Sequence, residues 1–112
     1  MPPAVARVVV IAPEDAEWAA AASAFLAERA YVLVRLPSLS FASFAVLRGG
    51  VAGLLIDARL MAAGSAAFIG QLQRARPRLR VVTVGAAGAA EGVASHLAWP
   101  FGRDELEKVF EM

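Results

Sequence analysis

The stretch that decides the fold is Leu54-Leu55-Ile56-Asp57, an apolar run that ends on a carboxylate. The run shows no alternation of apolar and polar residues, which is typical of a strand buried on both faces of a parallel sheet. Val8-Val9-Val10-Ile11 and Leu79–Val84 have nearly the same character. Because both faces of such strands must be covered, we expect helices on both sides of the sheet.

Segments with helical patterns separate these strands. Between the first two strands, Trp18, Phe25 and Leu26 repeat at helical spacing and predict an apolar stripe that faces the core. Two further strands are predicted at Tyr31–Leu36 and, more weakly, at Ser95–Ala98. The predicted helices run from Pro13 through Leu26, from Ser40 to Arg48 with Gly49-Gly50 closing it, from Ser65 to just before Pro77, across Ala86–Ala94 as a short or frayed helix, and from Arg103 to Glu111.

The resulting order βαβαβαβαβα predicts an α/β fold. We expect a doubly wound, five-stranded parallel sheet in a three-layer αβα sandwich, with the fourth helix shortened. The number of units is too small for a (β/α)₈ barrel. With 112 residues, the chain suits one domain spanning residues 1–112.

Composition excludes several classes of protein. The chain is 59% hydrophobic with a net charge of +1, which is incompatible with a disordered chain. It contains no cysteine, which excludes a disulfide scaffold, a cysteine-based zinc site and a cysteine nucleophile. The longest uncharged stretch, Leu36–Leu47, is shorter than the roughly 18 apolar residues of a membrane span. No signal peptide is recognisable, so we expect a soluble cytoplasmic domain with no membrane partner.

The near-neutral total hides an uneven distribution of charge. Between Glu28 and Glu91 the chain has one acidic residue, Asp57, and eight arginines. The arginines at 74, 76, 78 and 80 could contact nucleic acid or an acidic partner. Without interleaved aromatic residues, however, they are better interpreted as a solvated helix end and strand start. We therefore expect no direct contact with nucleic acid.

In a doubly wound sheet, ligands bind at the carboxyl ends of the strands. The chain resembles a response-regulator receiver domain of the CheY-like fold along nearly its whole length, and that fold implies the strand order 2-1-3-4-5. The landmarks are the strand Arg7–Ile11, the strand ending on Asp57, the strand Val81–Val84 followed by Gly85-Ala86, and Trp99-Pro100-Phe101 with the segment Gly102–Leu106 that follows.

The resemblance assigns a role to Asp57 and shows what is missing around it. Asp57 stands at the family's phosphoacceptor position, but Ala12 and Pro13 occupy the places of the acidic pair that holds Mg²⁺ with it. Glu14 and Asp15 follow two residues later and could take part, although they also serve as charges at a helix start. From the residues alone, Asp57 could equally be a strand-end carboxylate paired with Arg59 or another arginine.

The switch positions depart from the family pattern as well. Gly85 stands where the family has Ser or Thr, and Thr83 lies two residues earlier. The family has a Lys before a Pro after the fifth strand, and here Trp99 precedes Pro100. His96 takes the place of the family's switch aromatic residue. The resemblance also implies a cis peptide bond between Trp99 and Pro100.

These departures predict a pseudo-receiver, which signals in a bacterial two-component or phosphorelay setting through protein contact, needs no cofactor and is not an enzyme. At most it retains residual autophosphorylation on Asp57. Two alternatives stay open: a working receiver phosphorylated on Asp57 with Mg²⁺, and a small doubly wound domain of unrelated function. The expected partner is another protein or an output domain. A homodimer is possible, with Trp99, Phe101 and Phe110 as candidate interface residues.

Overall fold

The computed structural model describes residues 7–29, 31–47, 50–61, 64–85 and 95–110. Within these residues, five strands form one parallel sheet in the order β2-β1-β3-β4-β5. The predicted order is therefore confirmed. The strands are β1 (Arg7–Ile11), β2 (Val32–Leu36), β3 (Val51–Asp57), β4 (Arg80–Gly85) and β5 (Ser95–Ala98), and the helices are α1 (Glu17–Ala27), α2 (Ala42–Leu47), α3 (Ser65–Ala75) and α4 (Arg103–Phe110).

The sheet separates two apolar layers, which explains why the strands lack alternation. Val8 and Val10 of β1 face one side, where they pack with α1 and α4. Val9 and Ile11 face the other side, where they pack with α2 and α3. Successive residues of a strand point to opposite faces, so a strand covered on both sides needs no alternation of apolar and polar residues. The architecture is the predicted three-layer αβα sandwich.

The first helix begins later than its sequence indicates. The sequence predicts a start at Pro13, but α1 begins at Glu17. Residues 13–16 form a turn in which the Ala16 N–H donates to the Pro13 carbonyl at 3.1 Å. A proline and two acids are equally compatible with a turn. This turn carries Asp15 to the mouth of the site described below.

The second helix and the third strand also differ from the expected bounds. Ser40 lies inside a short 3₁₀ turn, Leu39–Phe41, and the α-helix starts only at Ala42. Gly50 has a φ of 77°, as expected of a residue that ends this region, whereas residues 48 and 49 lie outside the described part. Strand β3 starts at Val51, three residues before the predicted Leu54.

Two further predictions concern the end of the chain. The Trp99–Pro100 peptide bond is cis, as the resemblance implied. The sequence predicts a shortened fourth helix at residues 86–94, which lie outside the described residues, as does the side chain of Phe110.

None of the helices in the described ranges has the length and the apolar character that a membrane span requires.

Candidate functional site

The carboxyl edge of the sheet holds a cavity of about 540 Å³. The chain leaves β1 toward β2 and leaves β3 toward β4, so the direction of winding changes between β1 and β3. A crevice forms at such a switch point, and ligands of doubly wound proteins bind there. The wall of the cavity includes Asp15, Trp18, Asp57, Arg59, Gly85 and Trp99.

Asp57 ends β3 at the floor of this cavity and is only 2% exposed. Its Oδ1 accepts from the Arg59 backbone N–H at 2.9 Å and from Arg59 Nε at 3.1 Å. Its Oδ2 accepts from Arg59 Nη2 at 2.9 Å and from Trp18 Nε1 at 3.0 Å. An ionised carboxylate offers about four lone-pair sites, and these four hydrogen bonds occupy all of them.

The local sequence explains how Arg59 reaches Asp57 from two positions away. Residues Ala58–Leu60 form a 3₁₀ turn, and Asp57 caps it by accepting from the Arg59 N–H. This capping is the usual short-range bond of an aspartate to its own backbone. The same turn directs the guanidinium back over the carboxylate, where it binds side-on through Nε and Nη2. Charge-assisted pairs with two N–H donors are among the strongest hydrogen-bonded pairs in proteins.

The ionised form of Asp57 is favoured by this arrangement. Burial alone would raise the pKa of Asp57, but the hydrogen bonds from Arg59 and Trp18 together with the Arg59 charge outweigh burial and hold the pKa below its ordinary value of 3.8. The hydrogen bond and the charge of Asp57 in turn raise the pKa of Arg59, with a smaller contribution from Asp15. The pair is therefore fully ionised at neutral pH.

The surroundings of Asp57 do not fit the Mg²⁺ site that the receiver fold implies. Mg²⁺ needs oxygen ligands in near-octahedral geometry. Ala12 is buried and Pro13 is the first residue of the turn, and neither has a side-chain oxygen. Both oxygens of Asp57 already accept two hydrogen bonds each. In the described part of the chain, no three acidic or histidine side chains lie close enough together to hold a metal ion. Glu14 is exposed.

Of the predicted switch positions, Gly85 and Trp99 line the cavity, whereas Thr83 and His96 form a separate pair on β4 and β5. Thr83 is fully buried, and its Oγ1 lies 2.8 Å from His96 Nδ1. His96 Nε2 lies 3.1 Å from the Gly85 carbonyl oxygen, which can only accept. Neutral His96 therefore carries its proton on Nε2, and Nδ1 accepts from the Thr83 hydroxyl.

Trp99 connects the cavity to the α1–α4 side of the molecule. Its backbone N–H donates to the Gly85 carbonyl at 3.2 Å. Its ring packs edge-on against Phe101 at 5.1 Å between centroids, and Phe101 packs edge-on against Phe25 at 6.4 Å. The Arg103 guanidinium lies 5.6 Å from the Phe25 centroid. The predicted interface residues Trp99 and Phe101 are thus partly used inside the molecule, and Phe101 is buried.

Sequence reasoning missed the role of Trp18. Its position in the helical stripe predicted a core residue, and it is indeed 3% exposed, but its indole also binds Asp57. A buried tryptophan needs an acceptor for its N–H, and Asp57 is the one acid in the sequence between Glu28 and Glu91. These two facts were the signal in the sequence that could have indicated the contact.

The arginines at 74, 76, 78 and 80 lie around the end of α3 and the start of β4. They are therefore near the amino ends of the strands, whereas Asp57 lies at the carboxyl end of β3.

The comparisons with known proteins agree on the fold. No protein-family model matches the chain, and no curated protein matches its sequence. A CheY-like receiver domain protein from Methanospirillum hungatei has a TM-score of 0.72 at 16% identity, covering 96% of this chain and 92% of that one. The beryllofluoride-activated NtrC4 receiver domain dimer has a TM-score of 0.73 at 20% identity, covering 94% and 93%.

A third similar structure, from Burkholderia pseudomallei, is described as pilus assembly-related. It has a TM-score of 0.71 at 20% identity, covering 96% of this chain and 87% of that one. These likenesses extend over almost the whole chain. The chain therefore has the fold of response-regulator receiver domains.

Proposed function

We propose that this chain is a receiver-fold signalling domain that works by protein contact and not by a phosphorylation cycle. The observation that carries the proposal is the saturation of Asp57 by Arg59 and Trp18. To attack a phosphoryl group, a carboxylate oxygen must present a lone pair in line with the leaving group. Asp57 has none to present while the ion pair is closed.

The groups that would stabilise phosphoryl transfer are also replaced. Transfer depends on cations and donors that neutralise the equatorial oxygens of the phosphoryl group. Gly85 offers no hydroxyl, and Trp99 offers an aromatic ring in place of an ammonium group. The hydroxyl of Thr83 is engaged elsewhere, 2.8 Å from His96 Nδ1 and 3.4 Å from the Ser95 carbonyl oxygen. The remaining cation, Arg59, neutralises the carboxylate itself.

The experiment that tests the proposal is the intact mass of the protein after incubation with Mg²⁺ and acetyl phosphate. We expect no phosphate adduct on the wild-type chain under conditions that label a working receiver treated in parallel. A stoichiometric adduct that disappears in Asp57→Asn would overturn the proposal in favour of the working receiver. Asp57→Asn is a suitable control because it nearly preserves the shape of the side chain.

We further propose that the partner surface includes Trp99, either toward another protein or output domain or toward a second copy of this chain. Trp99 is half-buried at the rim of the cavity, and tryptophan is enriched at binding hot spots. The NtrC4 receiver domain is described as a dimer, which makes a homodimer the first case to test.

Mass as a function of concentration tests the homodimer. The matched control is Phe44, which is 75% exposed on α2, on the opposite face of the sheet. We expect Trp99→Ala to lower the average mass at high concentration and Phe44→Ala to leave it unchanged. A monomer at all concentrations, or an equal effect of the two substitutions, would count against a dimer through Trp99.

A further inference from the structure

The guanidinium of Arg59 joins carboxylates from two different loops. Its Nη2 lies 2.9 Å from Asp57 Oδ2 and 3.5 Å from Asp15 Oδ1. Asp57 ends β3 and is buried, whereas Asp15 lies in the turn after β1 and its side chain is 76% exposed. One cationic nitrogen therefore lies between a buried and an exposed carboxylate at the mouth of the cavity.

Two kinds of cation suit a position between carboxylates at the edge of a protein. One is an arginine, which donates N–H groups in a fixed fork. The other is a hard divalent ion such as Mg²⁺. Proteins bind Mg²⁺ through one or two carboxylates, and several water molecules complete its coordination shell. Both cations compete for the same oxygen lone pairs, so they exclude each other.

We propose that Arg59 is an internal counter-cation that closes to divalent metal a site formed by Asp57 and Asp15. The proposal rests on the proposed function and deepens it, because it names the group that keeps the acceptor position inactive. It also accounts for the disagreement between these residues and the metal site of the fold: the position of the ion is taken by a side chain.

The tether explains why the arginine prevails over an ion from solution. Arg59 is held two residues from Asp57 by the 3₁₀ turn, so its effective concentration at the carboxylate is set by the chain and does not depend on the surroundings. The guanidinium stays charged at any physiological pH. A metal ion would have to displace the Nε and Nη2 bonds and give up part of its own hydration.

Removing the guanidinium of Arg59 should free oxygen atoms of Asp57 to act as metal ligands, while the remaining hydrogen bonds keep the Asp57 carboxylate in its orientation. In Arg59→Ala, the backbone N–H of residue 59 still donates to Oδ1 and Trp18 Nε1 still donates to Oδ2. Each oxygen of Asp57 then keeps one hydrogen bond and gains one free lone-pair site. Asp15 also loses its cation, and the two carboxylates present an uncompensated negative charge to the solvent.

The experiment titrates wild type, Arg59→Ala and Arg59→Lys with Mg²⁺ and with Mn²⁺. Thermal unfolding measures stabilisation by Mg²⁺, and paramagnetic broadening of the two indole N–H signals measures where Mn²⁺ binds. In Arg59→Ala we expect millimolar Mg²⁺ to raise the melting temperature by about 4 °C or more, and Mn²⁺ to broaden the Trp18 signal first. We expect wild type and Arg59→Lys, which keep a tethered cation, to show neither effect.

The double variant Asp57→Asn/Arg59→Ala is the control for the ligand, and it should lose the response. If Arg59→Ala does not fold, Arg59→Gln takes its place, since the amide removes the charge and keeps a hydrogen-bond donor. Two outcomes overturn the proposal: no metal response in the folded, uncharged variants, or a wild-type response as strong as that of Arg59→Ala.

The proposed function fails separately from this inference. A phosphate adduct on wild-type Asp57 would refute the inactive acceptor, whatever the metal titrations show. Wild type that remains unlabelled, together with an Arg59→Ala variant that ignores metal, would refute only the counter-cation.

Discussion

The indole N–H of Trp18 donates to Oδ2 of Asp57 at 3.0 Å, although 39 positions separate the two residues in sequence. Trp18 belongs to the first turn of α1 and Asp57 to the last position of β3. Their contact fixes the start of α1 against the carboxyl edge of the sheet. Among the residues that the structure describes, it also supplies the one donor to the carboxylate that does not come from Arg59, so it holds Asp57 in place independently of the ion pair.

The first prediction concerns this hydrogen bond. Trp18→Phe keeps an aromatic ring in the core but leaves a buried carboxylate oxygen with one donor fewer. We expect a loss of about 1–3 kcal/mol in the free energy of unfolding, measured by urea denaturation at an unchanged m value. Trp99→Phe is the matched control at the half-buried rim, and it should cost less. Equal losses in both variants would mean that ring packing, and not the bond to Asp57, stabilises the protein.

The second prediction concerns acid. Because the folded-state pKa of Asp57 lies below its ordinary value of 3.8, the ionised carboxylate stabilises the folded protein. This contribution is complete only about one pH unit above the ordinary value, from about pH 5 upward, and it is lost as the pH falls through the ordinary value and then through the lower, folded value. In this acid range, the free energy of unfolding should fall more steeply with decreasing pH in wild type than in Asp57→Asn. Parallel acid limbs in the two proteins would contradict the lowered pKa.

The third prediction concerns the Thr83–His96 pair. Thr83→Val is close to isosteric and removes the hydroxyl that faces His96 Nδ1 at 2.8 Å. We expect a cost of about 1–2 kcal/mol and a changed Nδ1 chemical shift. Thr83→Ser, which loses a methyl group but keeps the hydroxyl, should leave that shift close to its wild-type position. In wild type, nitrogen NMR at neutral pH should find the Nε2–H tautomer; the Nδ1–H tautomer would disprove the assigned bond to the Gly85 carbonyl.

The fourth prediction compares two glycines that both have space for a Cβ. Gly64 precedes α3 with a φ of 88°, a conformation that L residues avoid, whereas Gly70 lies inside α3 with helical geometry. We expect Gly64→Ala to lower the free energy of unfolding by about 1 kcal/mol. Gly70→Ala should raise it by about 0.5–1 kcal/mol, since alanine is the better helix former. Thermal unfolding of the two variants should therefore shift in opposite directions.

The fold could be predicted because its signal is local. The central strands β1, β3 and β4 are short and largely apolar runs, and such runs can be buried only between two layers of helices, as Val9 and Val10 show by facing opposite layers. The bounds of the elements were less predictable. The turn at Pro13–Ala16 and the 3₁₀ turn at Leu39–Phe41 satisfy the same residue preferences as a first helical turn, and only packing selects between them.

The sequence by itself determined the parallel αβα sandwich and the position of Asp57 at the end of a central strand. The resemblance to receiver domains added the expectation that the acidic pair, the hydroxyl and the lysine of a receiver site are replaced in this chain. The sequence allowed an arginine partner for Asp57 without choosing one. Tertiary structure decided that Arg59 and Trp18 together fill the four acceptor sites of that carboxylate. The physical reason is that hydrogen bonding depends on distance and direction in space, and the fold brings α1 and the end of β3 to one edge of the sheet, a proximity that spacing along the chain does not encode.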